Sequence, residues 1–517
     1  MASAEASREK MMRRNTAHDL FAQFHRHRAI SVRAMSAIKD EDDNLHEDEN
    51  QPSPESEPSF DMFRNVARTG VLYATSRAQR HGFKRLDDPE WANMGQGAPE
   101  TGPLPGAPSR DFHMNIEDAE LEYASTAGIR ELREKVAEYY NALYRQEKES
   151  QYSFENVCVV PGGRAGLTRV MAALGSVQVG YFTPDYTAYQ EALGLFSRIT
   201  PSPLLHINMH EALMKSEEFR FQAAGRGLGA VLLSNPANPT GQSLEGEELK
   251  NYVMIARELG IALLMDEFYS HYYYDGETLD PADGGADDNT NWPKTVSSAT
   301  YVEDVNEDPI IIVNGLTKNW RLPGFRICWV VGPKKICEML SSAGSFLDGG
   351  ANAPLQKLAL PLMDMDFIRR DTWALQRHFK MKRDFLLREL ANLGITVEWE
   401  PTSTFYIWAN LSALPQPLGT FFRHPPPASI SFDMLFARAN CSSLTPQKVI
   451  IVPGVFFDIN PRHTRTIRKS KCIHFVRFSY GPAMPNLEKG VQQIGVMIKY
   501  WKSHQESAEQ YAHDTFG

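Results

Sequence analysis

Residues 314–326 read Asn-Gly-Leu-Thr-Lys-Asn-Trp-Arg-Leu-Pro-Gly-Phe-Arg and place an amine and a guanidinium on either side of a Pro-Gly turn. Lys318 follows an apolar, β-type run from Pro309 to Asn314, so its amine is expected at a strand end. Arg326 lies just beyond Pro323-Gly324. An amine held in this way can form a Schiff base with an aldehyde, and a guanidinium can clamp a phosphate through two parallel hydrogen bonds. Lysine and arginine also flank turns on ordinary surface loops. The pairing therefore gains meaning only if other segments meet the remaining needs of a ligand carrying both groups.

Four upstream segments have suitable chemistry. Gly162-Gly163-Arg164-Ala165-Gly166 follows an apolar run ending at Val160 and opens a helical pattern. Glycines let the backbone approach an anion, and a helix N-terminus presents unpaired N–H groups. The next apolar run ends in Thr183-Pro184-Asp185-Tyr186, where the tyrosine could cover a ring or simply pack. Asn235-Pro236-Ala237-Asn238-Pro239-Thr240-Gly241 contains two Asn-Pro steps, which force extended and turn geometry and make a rigid platform for a side-chain amide. Finally, the run Ile261–Met265 delivers Asp266-Glu267-Phe268-Tyr269. A carboxylate at the end of a buried strand needs a positive partner, because unpaired burial is costly. A protonated pyridine is one such partner, and a helix cap is the plainer use of the aspartate.

In this order the segments resemble the class I/II aminotransferase family of fold-type I pyridoxal-phosphate enzymes, over roughly residues 90–480. The resemblance implies pyridoxal 5'-phosphate as cofactor, held as a Schiff base on Lys318. It implies that Asp266 faces the ring nitrogen, that Asn238 and Tyr269 meet the ring oxygen, and that Tyr186 stacks on the ring. The phosphate would take the backbone of Gly163, Arg164 and Ala165 together with Thr317 and Arg326. Tyr123, in a segment like the family's Tyr-x4-Gly-x3-Leu-Arg, would reach the phosphate of a partner subunit, which implies a homodimer with shared active sites. Arg477, in Phe475-Val476-Arg477-Phe478-Ser479, would bind the substrate α-carboxylate, and Gly97 matches the substrate-covering loop loosely. The activity implied is transfer of an amino group between an L-amino acid and a 2-oxo acid. An ACC-synthase-like lyase, another elimination enzyme or a pyridoxal-phosphate-dependent amino acid oxidase would use the same parts. Departures from the family pattern lie close to the cofactor. The phosphate loop lacks the usual hydroxyl or amide, Gly315 stands where a serine is frequent, and Lys318 lies unusually far beyond Asp266.

The elements that must position these residues follow the same order. Short apolar runs at Val157–Val160, Val179–Thr183, Gly229–Ser234, Ile261–Met265, Pro309–Val313 and Ile327–Val331 alternate with helical patterns such as Gly166–Leu174 and Leu244–Leu259. This predicts an α/β fold: a mostly parallel sheet sandwiched by helices, seven-stranded in the family, with ligands at the carboxyl ends of the strands. Ile368–Leu393, Thr404–Trp408 and Ile473–Phe478 predict a smaller α+β domain. The expected organisation is a flexible arm over 1–59, the first part of the small domain over 60–109, a large cofactor-binding domain over 110–364, and the rest of the small domain over 365–517. Two long loops, 275–308 and 412–428, read as lids or solvated insertions.

Composition narrows the classes further. A net charge of −10 over 517 residues argues against nucleic-acid binding, and no apolar run is long enough to span a membrane. Five scattered cysteines without a CxxC pair fit a reducing compartment and no structural metal. A cytoplasmic protein is expected. The Arg-rich stretch 8–39 offers a mitochondrial alternative, weakened by Glu5, Glu9 and Asp19.

Overall fold

A computed structural model describes residues 70–503, apart from 81, 86, 87, 115, 207–210, 275–290, 415–447, 462–469 and 473. The arm expected over 1–59, most of the 412–428 loop and the first half of the 275–308 loop lie outside the described residues.

The strands of the central sheet are β2 (Val157–Val160), β3 (Val177–Tyr181), β4 (Ile199–Pro203), β5 (Ala230–Ser234), β6 (Ala262–Asp266), β7 (Ile310–Gly315) and β8 (Cys328–Val331). A short strand, β1 (Ala92–Asn93), precedes them. The seven run in the order β2-β8-β7-β6-β5-β3-β4, and every pairing is parallel except those of β8 with β2 and β7. Strands β5 and β7 are buried along their whole length, as expected of strands covered on both faces. Helices Gly163–Ala173, Gly246–Leu259 and Lys334–Leu347 flank the sheet strands in sequence.

The topology explains why the candidate residues converge. Val160, Tyr181, Ser234, Asp266 and Gly315 are the last residues of parallel strands, so the segments that follow them leave from one edge of the sheet. Because β8 runs the other way and starts with Cys328 opposite Gly315, Arg326 just before it arrives at that same edge.

A second sheet combines β9 (Thr396–Val397), β10 (Tyr406–Asn410), β12 (Val452–Pro453) and β13 (Phe475–Ser479) in the antiparallel order β12-β13-β10-β9. Strand β11 (Val449–Ile450) pairs with β1. Helices Met365–Asn392 and Met484–Ser503 belong to this part of the chain. Among the described residues no helix is long and apolar enough to cross a membrane.

Two expectations need correction. Strand β4 is missing from the sequence reading, because Pro201 and Pro203 argue against a strand; it is an edge strand, where a missing N–H is tolerated. The second half of the 275–308 loop is not a solvated insertion. Val296, Ser297, Ser298, Ala299, Val302 and Val305 are all buried, and the stretch packs into the main core.

Candidate active site

The phosphate-type cradle forms where helix 163–173 begins. A Cβ built on Gly162 would fall 1.8 Å from Nη2 of Arg326, and one on Gly163 would fall 2.4 Å from the Phe268 ring. The two glycines therefore let the Arg326 guanidinium and the Phe268 ring lie against the loop itself. Gly162 also has a φ of 103°, which side-chain-bearing residues rarely adopt. Arg326 donates through Nη1 to the Pro323 carbonyl at 3.0 Å. Ala165 sits in the first turn of the helix. Arg164 turns its side chain to the next strand end, with Nε and Nη2 both 3.3 Å from the Tyr186 hydroxyl.

The departure at Gly315 has a steric cause. Any Cβ there would lie 2.4 Å from Cα of Cys328 and 2.7 Å from its sulfur, so no serine fits. Thr317 is present beside it, with Oγ1 3.1 Å from Cys328 Sγ.

Asp266 ends β6 and is buried. Its Oδ2 accepts from the Tyr189 hydroxyl at 2.7 Å. Burial pushes its pKa up to about 6, with the Tyr189 bond working against that rise. No lysine, arginine or histidine forms an ion pair with it among the described residues.

Lys318 follows β7, and its amine donates to the Gly97 carbonyl. The side chain keeps some accessibility, yet the surrounding protein pushes its pKa down to about 7, first through desolvation and then through the charge of Arg477. At neutral pH much of this amine is unprotonated and can act as nucleophile or base.

Arg477 lies on β13 and is 2% exposed. Nη1 donates to Oδ1 of Asn238 at 2.9 Å and Nη2 to the Gly95 carbonyl at 3.0 Å. Its guanidinium carbon stands 4.1 Å from the centre of the Tyr406 ring and 4.9 Å from that of Phe457. Nε is buried without a partner among the described residues. Gly97 belongs here too, since a Cβ on it would come 3.7 Å from Nη2 of Arg477. Tyr269 is buried, and its hydroxyl is 2.8 Å from that of Tyr406.

The structure thus joins Gly97, Asn238, Tyr269, Lys318 and Arg477 in one site, with Asp266 at the end of the strand beside Lys318. Tyr123 is not among them. It is 97% exposed and makes no hydrogen bond or ring contact among the described residues. Sequence reasoning missed Tyr189 and Tyr406. Tyr189 stands three residues after Tyr186, one helical turn on, which is the single signal that could have suggested it.

These residues suit a phosphorylated pyridine aldehyde. Among the described residues a buried carboxylate is in no ion pair, an amine has its pKa lowered to about 7, a buried guanidinium has a spare donor, and a glycine cradle lies against an arginine.

Comparisons with known proteins agree. The model for "Aminotransferase class I and II" matches residues 89–491. A probable aspartate/prephenate aminotransferase of Aquifex aeolicus is 24% identical over 385 residues, covering 73% of this chain and 84% of that protein. A probable N-acetyl-LL-diaminopimelate aminotransferase of Bacillus subtilis is 23% identical over 388 residues, covering 74% of this chain and 83% of that protein. Among solved structures, an aspartate aminotransferase from Thermus thermophilus with maleate superposes with a TM-score of 0.61 at 20% identity, covering 84% of this chain and 99% of that one. That likeness establishes the fold.

Proposed function

Since the chain belongs to the class I and II aminotransferase family and is an enzyme that moves an amino group between an amino acid and a 2-oxo acid, we propose that it works through pyridoxal 5'-phosphate carried on Lys318. The observation that carries this reading is the pair at the end of β6 and just after β7: Asp266, buried and in no ion pair among the described residues, and Lys318, an amine whose pKa falls to about 7. When bound, the cofactor supplies an aldehyde for the lysine and a pyridine ring that draws electrons from the bond broken at the substrate Cα.

The chain's own residues do the rest. Asp266, oriented by Tyr189, offers its charge to the ring nitrogen and keeps it protonated. Gly163, Arg164 and Ala165 with Thr317 and Arg326 would hold the phosphate, and Tyr186 would cover the ring. Asn238 and Tyr269 would meet the ring oxygen. Arg477 binds the substrate carboxylate and thereby sets the Cα–H bond toward Lys318. Released once the substrate amine takes its place on the cofactor, the Lys318 amine would take that proton from Cα and return it at the former aldehyde carbon, two bonds away.

We further propose that residues 110–364 form the cofactor-binding domain, with 60–109 and 365–517 forming the small domain; the separate antiparallel sheet of the C-terminal part supports this. The full exposure of Tyr123 supports a homodimer in which this residue reaches the partner's phosphate. Cys158, Cys328 and Cys337 are buried free thiols, which supports a reducing, cytoplasmic setting.

The test is incubation of the purified protein with a panel of amino acids, aspartate included, with and without 2-oxoglutarate. New glutamate is expected only with the acceptor. Ammonia or peroxide released without it would overturn transfer. Lys318→Ala is expected to abolish the visible absorbance of the lysine-bound cofactor and to cut turnover ~10⁴-fold; a variant that keeps that band overturns the assignment of the lysine.

A further inference from the structure

Tyr406 begins β10, is 1% exposed, and touches three parts of the site. Its hydroxyl lies 2.8 Å from that of Tyr269. The Arg477 guanidinium rests on its ring at 4.1 Å. A Cβ on Gly97, whose carbonyl receives the Lys318 amine, would come 3.4 Å from its hydroxyl.

The ring is held in place by its backbone. Thr404 adopts a φ of 67°, a strained value for a β-branched residue, and its Oγ1 accepts from the Tyr406 N–H at 3.1 Å. The Thr404 carbonyl in turn accepts from the hydroxyls of Tyr274 and Tyr480. A tyrosine serving only as core would commonly bond a backbone carbonyl. This one bonds the hydroxyl of a residue assigned to the cofactor.

We propose that Tyr406 is a positioning residue that ties the carboxylate end of the site to the ring-oxygen end, its ring seating Arg477 and its hydroxyl donating to Tyr269. The proton count sets the direction. A single proton lies between two hydrogen-bonded hydroxyls, so if Tyr269 gives its own proton to the ring oxygen, the one between them comes from Tyr406. A hydroxyl that accepts such a bond becomes a stronger donor. Tyr406 therefore strengthens the Tyr269 bond and lowers the basicity of the ring oxygen. This rests on the cofactor reading above.

The experiment is a pH titration of the visible absorbance of the holoenzyme, together with substrate kinetics. Tyr406→Phe keeps the ring and loses the hydroxyl. Its pH midpoint is expected to rise by about half a unit or more, with KM for the amino acid within about 3-fold of wild type. In a Tyr269→Phe background the same change is expected to move the midpoint no further, because its route is gone. Tyr406→Leu removes the seat of Arg477, so KM for the amino acid should rise about 10-fold, while the half-reaction with an amine lacking a carboxylate keeps its KM. An unmoved midpoint in Tyr406→Phe, an additive shift in the double variant, or an equal KM rise for the carboxylate-free amine overturns the role of Tyr406. A wild-type holoenzyme without any titrating visible band overturns the cofactor reading itself and the proposal with it.

Discussion

Asp266 and Glu267 are adjacent buried carboxylates at the end of β6, and they face opposite kinds of surroundings. Glu267 accepts three hydrogen bonds from the rear of the sheet: from the Ser297 hydroxyl, the Ser298 N–H at 2.8 Å and the Ser298 hydroxyl. Asp266 accepts from the Tyr189 hydroxyl and the Phe268 N–H, and no ion pair with a cation meets it among the described residues. Two arginines repeat the contrast. Arg145 spreads its donors over the carbonyls of Ser150, Ala299, Val302 and Glu303, whereas Arg477 keeps a buried Nε without a partner among the described residues. Burying a charge is tolerable only if it is paired or well hydrogen-bonded. A buried polar group whose hydrogen bonds are made within the fold holds it together, and one with bonding capacity to spare marks where a ligand completes the site. The rear cluster therefore belongs to stability and the front one to chemistry.

Substitutions at the two carboxylates can break that division. Asp266→Asn removes the charge offered to the ring nitrogen but keeps the shape, so turnover is expected to fall ~10³-fold, with the stability of the cofactor-loaded enzyme little changed. Steady-state rates and thermal unfolding of the same preparation check this, and activity near wild type would erase the distinction. Glu267→Ala should show the converse. It strands the donors of Ser297 and Ser298, and even after crediting the release of a buried acid it is expected to cost about 3 kcal/mol. Turnover per folded molecule should stay within about 5-fold of wild type. A Glu267→Ala protein as stable as wild type but inactive would move Glu267 into the catalytic group.

The same contrast explains what could be read without the structure. The positions of Asn238, Asp266 and Lys318 were legible because each ends or follows a strand whose end the strand order brings to one edge, whereas Arg477, inside β13 of the second sheet, was legible only through the resemblance of its segment. Strands β5, β6 and β7 were legible as unbroken apolar runs. Tyr189 and Tyr406 were not, since tyrosine is an ordinary core residue and their roles arise from contacts with chain-distant partners, 77 residues away for Tyr189 and 137 for Tyr406. Residues 291–308 misled for a related reason. Their serines look like solvent-facing residues, and only the buried Glu267 shows why they lie inside. Edge strand β4 was hidden by its own prolines.

The smallest expected effect concerns pH, and its sign separates the two carboxylates from ordinary surface acids. In the cofactor-free protein burial raises Asp266 from an ordinary 3.8 to about 6 and Glu267 from 4.5 to about 7. Each group then binds its proton more tightly when folded than when unfolded. Their contribution is fully present below the unfolded values near pH 4 and is lost as pH rises through 6 and 7. Surface carboxylates in ion pairs behave oppositely. Asp266→Asn removes its share of this loss, so urea unfolding at pH 4.5 and 6.5 should show the variant gaining about 2 kcal/mol on wild type across that interval. Because the two acids are neighbours and titrate together, part of that gain is relief of Glu267. Adding the cofactor to wild type should flatten the slope in the same way, since a protonated ring nitrogen gives Asp266 a direct ion-pair partner. If the difference between variant and wild type is the same at both pH values, Asp266 ionises as an ordinary solvated acid and the front of the site is not the unsatisfied region that the contrast with Glu267 requires.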